Sequence, residues 1–384
     1  MTPTRLAPAL ALLLTALAAA TAAFADPAPP SPSPAPPYHT GVDTNYALDM
    51  AQRGRTWSDA AGPVDPFTHL AAAGADAIRI RLWVGDQGMN RLDYALATAK
   101  RAQAVGLRPY LVLFLSEDWA DLVKQPVPAA WAALPLEQRA AAVEQYAELV
   151  TRRFADAGVN ANLYEIGNEI DFGVCGEFEE EWMRRVSLEY MRQRVWPRMA
   201  PILLAAQRGV LKADPDARFV IHLAQWNNMD YCITMWRWLR DAGVRIDYLG
   251  LSYFPSSAEK PEQRTLAYML EHTRRAADAL DRPVLICETG YPSTPEFGGH
   301  FAAWNHAASG YPLDPDGQRR WLADLLRVTR GDPRFAGVYY WSPEWYDGGL
   351  WDAFALFDAA GRARPALGAF APTATDEPAA PPSR

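Results

Sequence analysis

From residue 38 onward, short apolar runs alternate with longer stretches whose hydrophobic positions recur at helical spacing. The runs cover 38–44, 77–84, 107–115, 162–167, 218–223, 246–254, 283–288 and 336–341. Each has the length and continuous apolar character of a strand buried on both faces. Between them the spacing predicts helices, as in Leu92, Leu96 and Ala99, then over 141–154 and 199–211. Several of these stretches stop at a glycine just before the next run, at Ala73-Gly74, Val105-Gly106, Ala157-Gly158 and Ala242-Gly243, where a left-handed residue would cap a helix. Eight repeated βα units predict an α/β fold, a single-domain (β/α)8 TIM barrel, whose usual size is about 250 residues before loop insertions. A doubly wound sheet would share the alternation, but no GxGxxG or GxxxxGK[ST] follows the first run, which weakens that option. In a barrel, chemistry belongs at the C-terminal strand ends.

The two ends of the chain read differently. Arg5 precedes an apolar stretch over 6–23 and the small-x-small pattern Ala23-Phe24-Ala25, so 1–25 is expected to be a signal peptide and the mature protein secreted or periplasmic. The stretch is near the roughly 18 residues of a membrane anchor, but its alanine content and cleavage pattern favour removal, leaving no stable membrane association. A proline-rich linker is expected over 26–37, the catalytic barrel over 38–371 and a disordered tail over 372–384. Three cysteines make no disulfide framework and show no zinc spacing, so no metal is expected. Cys175 and Cys232 follow strand ends and are candidates for one bridge in an oxidising compartment; Cys287 reads as a core thiol.

A net charge of -8 without any basic block argues against nucleic acid or anionic lipid as partner and leaves a neutral substrate. Fourteen tryptophans and sixteen tyrosines would mostly fill core, but flat amphipathic rings also suit the apolar faces of sugars. Carboxylates stand at two strand ends, in Ile166-Gly167-Asn168-Glu169-Ile170 and Ile286-Cys287-Glu288-Thr289-Gly290. Burial raises a carboxyl pKa and arginines lower it, so two acids on one site can be split into proton donor and nucleophile, as glycoside cleavage requires. Strand alternation puts Arg79, Arg81 and Trp83 on one face. Two inward arginines need anionic partners, either a nucleophilic carboxylate or a structural network through Glu165. His222 is either a core histidine or a substrate contact, and the acidic run 177–181 reads as a solvated loop.

The ordered series of motifs resembles the family-53 glycoside hydrolases, arabinogalactan endo-β-1,4-galactanases of the barrel clan with acids on strands four and seven. It runs through Gly41-Val42-Asp43, Ile78-Arg79-Ile80-Arg81-Leu82-Trp83, Ser116-Glu117-Asp118-Trp119, Asn168-Glu169, Ile221-His222-Leu223, Ser252-Tyr253-Phe254-Pro255, Glu288-Thr289 and Trp341-Ser342-Pro343-Glu344-Trp345. The resemblance implies hydrolysis of internal β-1,4-galactosidic bonds of a galactan-like polysaccharide without a cofactor. It implies Glu169 as acid/base, Glu288 as nucleophile, Asn168 as donor to the substrate 2-hydroxyl and Arg79 as positioner of the nucleophile. Further contacts to substrate are expected from Arg81, Trp83, Trp119 and His222, and from Trp226, Tyr253 and Trp341.

The chain also departs from the family pattern. Val112 and Phe114 stand where an Asp-x-His pair is usual, Phe254 replaces a tyrosine, Ser342 replaces a glutamate, and the segment 171–176 lacks a Leu-Trp-Pro continuation. Two alternatives therefore stay open: a clan relative cleaving another polysaccharide, and a catalytically weak glycan-binding barrel.

Overall fold

The computed structural model describes residues 37–371 apart from Asn160. The expected signal peptide, residues 26–36 of the expected linker and the expected tail over 372–384 lie outside the described residues. All eight apolar runs are strands: β1 (His39–Asp43), β2 (Ala77–Leu82), β3 (Arg108–Leu113), β4 (Leu163–Ile166), β5 (Arg218–Leu223), β6 (Tyr248–Tyr253), β7 (Val284–Thr289) and β8 (Phe335–Trp341). They form a closed parallel barrel in sequence order, and β8 returns to β1 with Gly41 opposite Tyr339 and Asp43 opposite Trp341.

The runs are apolar throughout because both sheet faces are covered. One set of alternate residues, including Ala77, Tyr110, Val112, Val220, Leu285 and Tyr339, fills the lumen. The other set, including Ile78, Leu111, Ile221, Leu249 and Ile286, packs outward against the helices. Glycine is needed where lumen side chains crowd the opposite wall: a Cβ on Gly41 would come 2.1 Å from the Tyr339 ring, and one on Gly250 would come 2.9 Å from Cys287 Sγ.

The outer layer holds α1 (Pro66–Ala73), α2 (Leu92–Ala104), α3 (Leu136–Asp156), α4 (Trp196–Ala213), α5 (Met229–Asp241), α6 (Leu266–Leu280) and α7 (Pro315–Arg330). Side chains of Asp65, Asn228, Thr265 and Asp314 accept from backbone N–H groups in the first turns of α1, α5, α6 and α7, each cap stabilising by about 1 kcal/mol. Among the described residues after β8 no full helix forms. A 3-10 segment, Pro365–Phe370, takes the eighth place against α7 and α1.

Two expectations fail here. All three cysteines are buried free thiols, so Cys175 and Cys232 are not bridged. Cys232 lies inside α5, where its Sγ donates to the Gln225 carbonyl at 3.2 Å, and Cys175 sits at a left-handed turn of a small hairpin (φ 51°). The acidic run is not simply solvated either: Glu177 is buried and pairs with Arg139 at 2.9 Å and with Arg198, tying the loop after β4 to α3 and α4. No helix among the described residues is long and apolar enough to cross a membrane.

Candidate active site

Glu169 and Glu288 line one cavity of about 720 Å³ at the C-terminal end of the barrel. Their placement relies on irregular backbone. β4 stops at Ile166, Gly167 turns with φ 75°, and Glu169 itself is left-handed at φ 46°, ψ 56°. A non-glycine residue there costs of the order of 1–3 kcal/mol and persists only where its surroundings impose it. In β7, Cys287 faces the lumen, so strict alternation would turn Glu288 outward. Instead the pairing with β6 skips Cys287: Leu251 lies opposite Ile286, and Ser252 lies opposite Glu288. This bulge re-aims the carboxylate into the site.

Beneath Glu288 lies a fully buried ion cluster centred on Arg79. Its five N–H donors have five acceptors: Asp43 Oδ2 (2.7 Å), Glu288 Oε1 (2.7 Å), Glu165 Oε1 (2.6 Å), Glu165 Oε2 (3.1 Å) and Asn168 Oδ1 (2.6 Å). Arg81 adds a second guanidinium, 3.0 Å from Asp43 Oδ1, with the rings of Tyr46, Trp119 and Trp341 around it. Burial opposes the charge on Glu165, yet Arg79 and then His222 hold its carboxyl down at about 2.

Among the described residues no cation stands against Glu169. Its oxygens accept from Ser252 Oγ and from the Leu122 N–H at 3.3 Å. Burial, and next the charge of Asp121, push its carboxyl up to about 7. Burial also pushes Glu288 up, Arg79 draws it back, and the Glu169 charge pushes it up again. The net effect raises both carboxyls, so the pair readily holds one proton, and the guanidinium in contact with Glu288 favours the charge there and the proton on Glu169. Such a pair can protonate one atom of a substrate while attacking another.

His222 completes the network rather than the cavity wall. It is fully buried, with Nδ1 2.8 Å from Glu165 Oε1 and Nε2 2.9 Å from Ser252 Oγ. Burial keeps the ring neutral and the ionised Glu165 takes the Nδ1 proton, which leaves Nε2 as an acceptor. Ser252 can then donate either to His222 or to Glu169, so its hydroxyl turns with the charge on Glu169.

Of the expected substrate contacts, Trp83, Trp119, Trp226 and Trp341 reach the cavity. Arg79, Arg81 and Asn168 are fully buried below it; the Asn168 amide donates to the Ala120 carbonyl at 2.9 Å while its oxygen accepts from Arg79. Tyr253 points away from the lumen, packing on Trp226 and Trp321, because Ser252 takes the inward position of β6. Sequence reasoning missed Ser252 and Asp43, both readable from strand parity, and also missed Tyr46, Trp304 and Trp351 on the walls, where Trp345, a stacking or core candidate after β8, also lies. Loop residues follow no period that would reveal them. Glu344, pushed up to about 8 by burial, accepts from the Tyr46 N–H at 2.8 Å and holds that wall residue in place.

Glu165, His222 and Cys287 present ligand atoms within 4.8 Å of one another in the lumen. The Glu165 oxygens are already bonded to Arg79, His222 and Tyr110, and burial holds the Cys287 thiol protonated. The cluster is thus a hydrogen-bonded network, ill suited to a metal that needs a thiolate.

A closed barrel bearing one glutamate after β4 and another on β7, both in an aromatic cleft, defines a glycoside hydrolase. Residues 39–370 match the profile of glycosyl hydrolase family 53, and the chain belongs to that family. It is 31% identical to an uncharacterized protein of Niallia circulans, over 79% of this chain and 83% of that one. It is 28% identical to the arabinogalactan endo-beta-1,4-galactanase of Cellvibrio japonicus, over 87% and 90%. The GH53 catalytic domain of Ignisphaera aggregans superposes with a TM-score of 0.75 at 25% identity, covering 88% of this chain and 98% of that structure.

Proposed function

We propose that this protein is an exported, retaining endo-β-1,4-galactanase acting on galactan or arabinogalactan by double displacement. Glu288 Oε1 is held by Arg79, leaving Oε2 to attack the anomeric carbon as the glycosidic C–O bond breaks. Glu169 gives its proton to the departing oxygen. Water then attacks the glycosyl ester, Glu169 takes its proton, and Glu288 is released with the anomeric configuration retained. The observation that carries this reading is the asymmetry of the pair, with one carboxyl anchored on a guanidinium and the other raised to about 7 without a cation. Relatives named as galactanases support the substrate. Export rests on the leader-like sequence over 1–25.

A different polysaccharide is the second reading. It is favoured by the hydrophobic side chains that replace polar family residues: Phe114 packs against Trp83 and Trp119, and Phe254 against Trp304 and Trp351. The test is a panel of soluble β-glycans scored for new reducing ends, with NMR of the first product. Galactan cleavage with a β-anomer formed first is expected. Cleavage of another glycan alone would move the assignment to the second reading, and an inverted first product would remove the double displacement.

A further inference from the structure

Large apolar side chains exposed among the described residues are few: Val123, Leu149, Trp182, Met183 and Val186. Four of the five lie on the loops after β3 and β4, and two of those, Val123 and Trp182, line the cavity that holds both glutamates. Val123 follows Leu122, whose N–H donates to Glu169. Trp182 lies on the loop after β4, downstream of the segment where the chain departs from the family pattern.

The loop is braced. Trp182 meets the buried Phe172 edge to face at 6.0 Å. Arg185 lies over Phe178 at 4.5 Å and donates to the carbonyls of Glu179 (2.5 Å) and Val123 (3.4 Å), joining the two loops. Glu177 anchors the base on Arg139 and Arg198. Trp182 is nevertheless 57% exposed and Val123 59%. An indole fixed at one edge and open beside a cleft presents a preformed surface for an apolar ring face, with little ordering cost on binding.

We propose that Trp182, with Val123 beside it, forms a subsite for a sugar of the polysaccharide on the leaving-group side of the cleaved bond. The side follows from the chemistry: the group that protonates the departing oxygen faces the departing chain, Val123 follows the Leu122 donor to Glu169, and Trp182 packs on Phe172, three residues along the chain from Glu169. The proposal rests on the reading of Glu169 as acid and Glu288 as nucleophile. The occupant is a neutral sugar ring in a longer chain, since the two side chains are apolar and line the same cavity as both glutamates.

The test compares long β-1,4-galactan with an aryl β-galactobioside, which has no sugar beyond the cleaved bond. Trp182→Ala should lower the ratio of kcat/KM on polymer to kcat/KM on aryl substrate by about tenfold, mainly through KM. Trp182→Phe should restore most of it. Equal falls on both substrates, or an unchanged ratio, would overturn the subsite. In the Glu288→Gln background, calorimetric binding of a long galacto-oligosaccharide should weaken on adding Trp182→Ala, a readout independent of turnover. Wild-type protein inactive on galactan would instead refute the functional reading, so the two failures are distinguishable.

Discussion

The two glutamates share a cavity but occupy opposite electrostatic surroundings. Glu288 rests on a dense ion cluster in which Asp43, Glu165 and Glu288 face the guanidinium groups of Arg79 and Arg81. Glu169 meets a hydroxyl and a backbone N–H. The cluster already carries three acids against two cations, so a further anion a short distance away is disfavoured. The difference between the two carboxyls, on which the proposed division of labour rests, comes from where the arginines are, since both groups are glutamates at strand ends and both carboxyls are raised by burial.

Removing the anchored member should have the largest effect. Glu288→Gln should reduce galactan turnover by at least the roughly 10²–10⁴-fold typical of a lost acid–base group, with circular dichroism unchanged; substantial residual activity would reassign the nucleophile. Glu169→Gln should cost about 10²–10⁴-fold on galactan but far less in the glycosylation step of a dinitrophenyl glycoside, whose leaving group needs no proton. Equal losses on both would show that Glu169 is not the donor.

Arg79→Met strips the buried acids of their central counter-charge. It should destabilise the fold by about 3–5 kcal/mol, read as a lower urea midpoint. A loss within 1 kcal/mol would mean that the cluster contributes little to folding. The smallest change sharpens the other side of the contrast. Activity should fall as pH rises through about 7, where Glu169 loses its proton. Ser252 favours the charged form by donating to it, so Ser252→Ala should move this basic limb upward by about one pH unit. A downward shift in the kcat/KM profile would refute the hydrogen-bond direction.

The barrel was legible because parallel strands covered on both faces leave unbroken apolar runs, and each of the eight runs coincides with its strand to within a residue or contains it. Both acids were legible as carboxylates at the ends of such runs. Orientation was harder. Tyr253 drew attention as an aromatic near a strand end, yet on β6 the lumen positions are Tyr248, Gly250 and Ser252, and the small serine makes the contact to Glu169. His222 has the right parity but lies too deep, held between Glu165 and Ser252. The Cys175–Cys232 bridge was inferred from loop proximity, which does not constrain the geometry of a helix residue against a hairpin turn. The walls contributed by Trp304 and Trp351 come from long loops whose folding is set by tertiary packing, for which no local pattern exists.

The extra residue in β7 sets a condition on any redesign of this scaffold. Smoothing the bulge with Cys287 retained would leave the length and hydrophobicity of the strand unchanged, yet the restored pleat would swing the neighbouring carboxylate toward the helical shell. Grafting β7 into another barrel requires transplanting the irregular pair Cys287-Glu288 together with the β6 register that accommodates it.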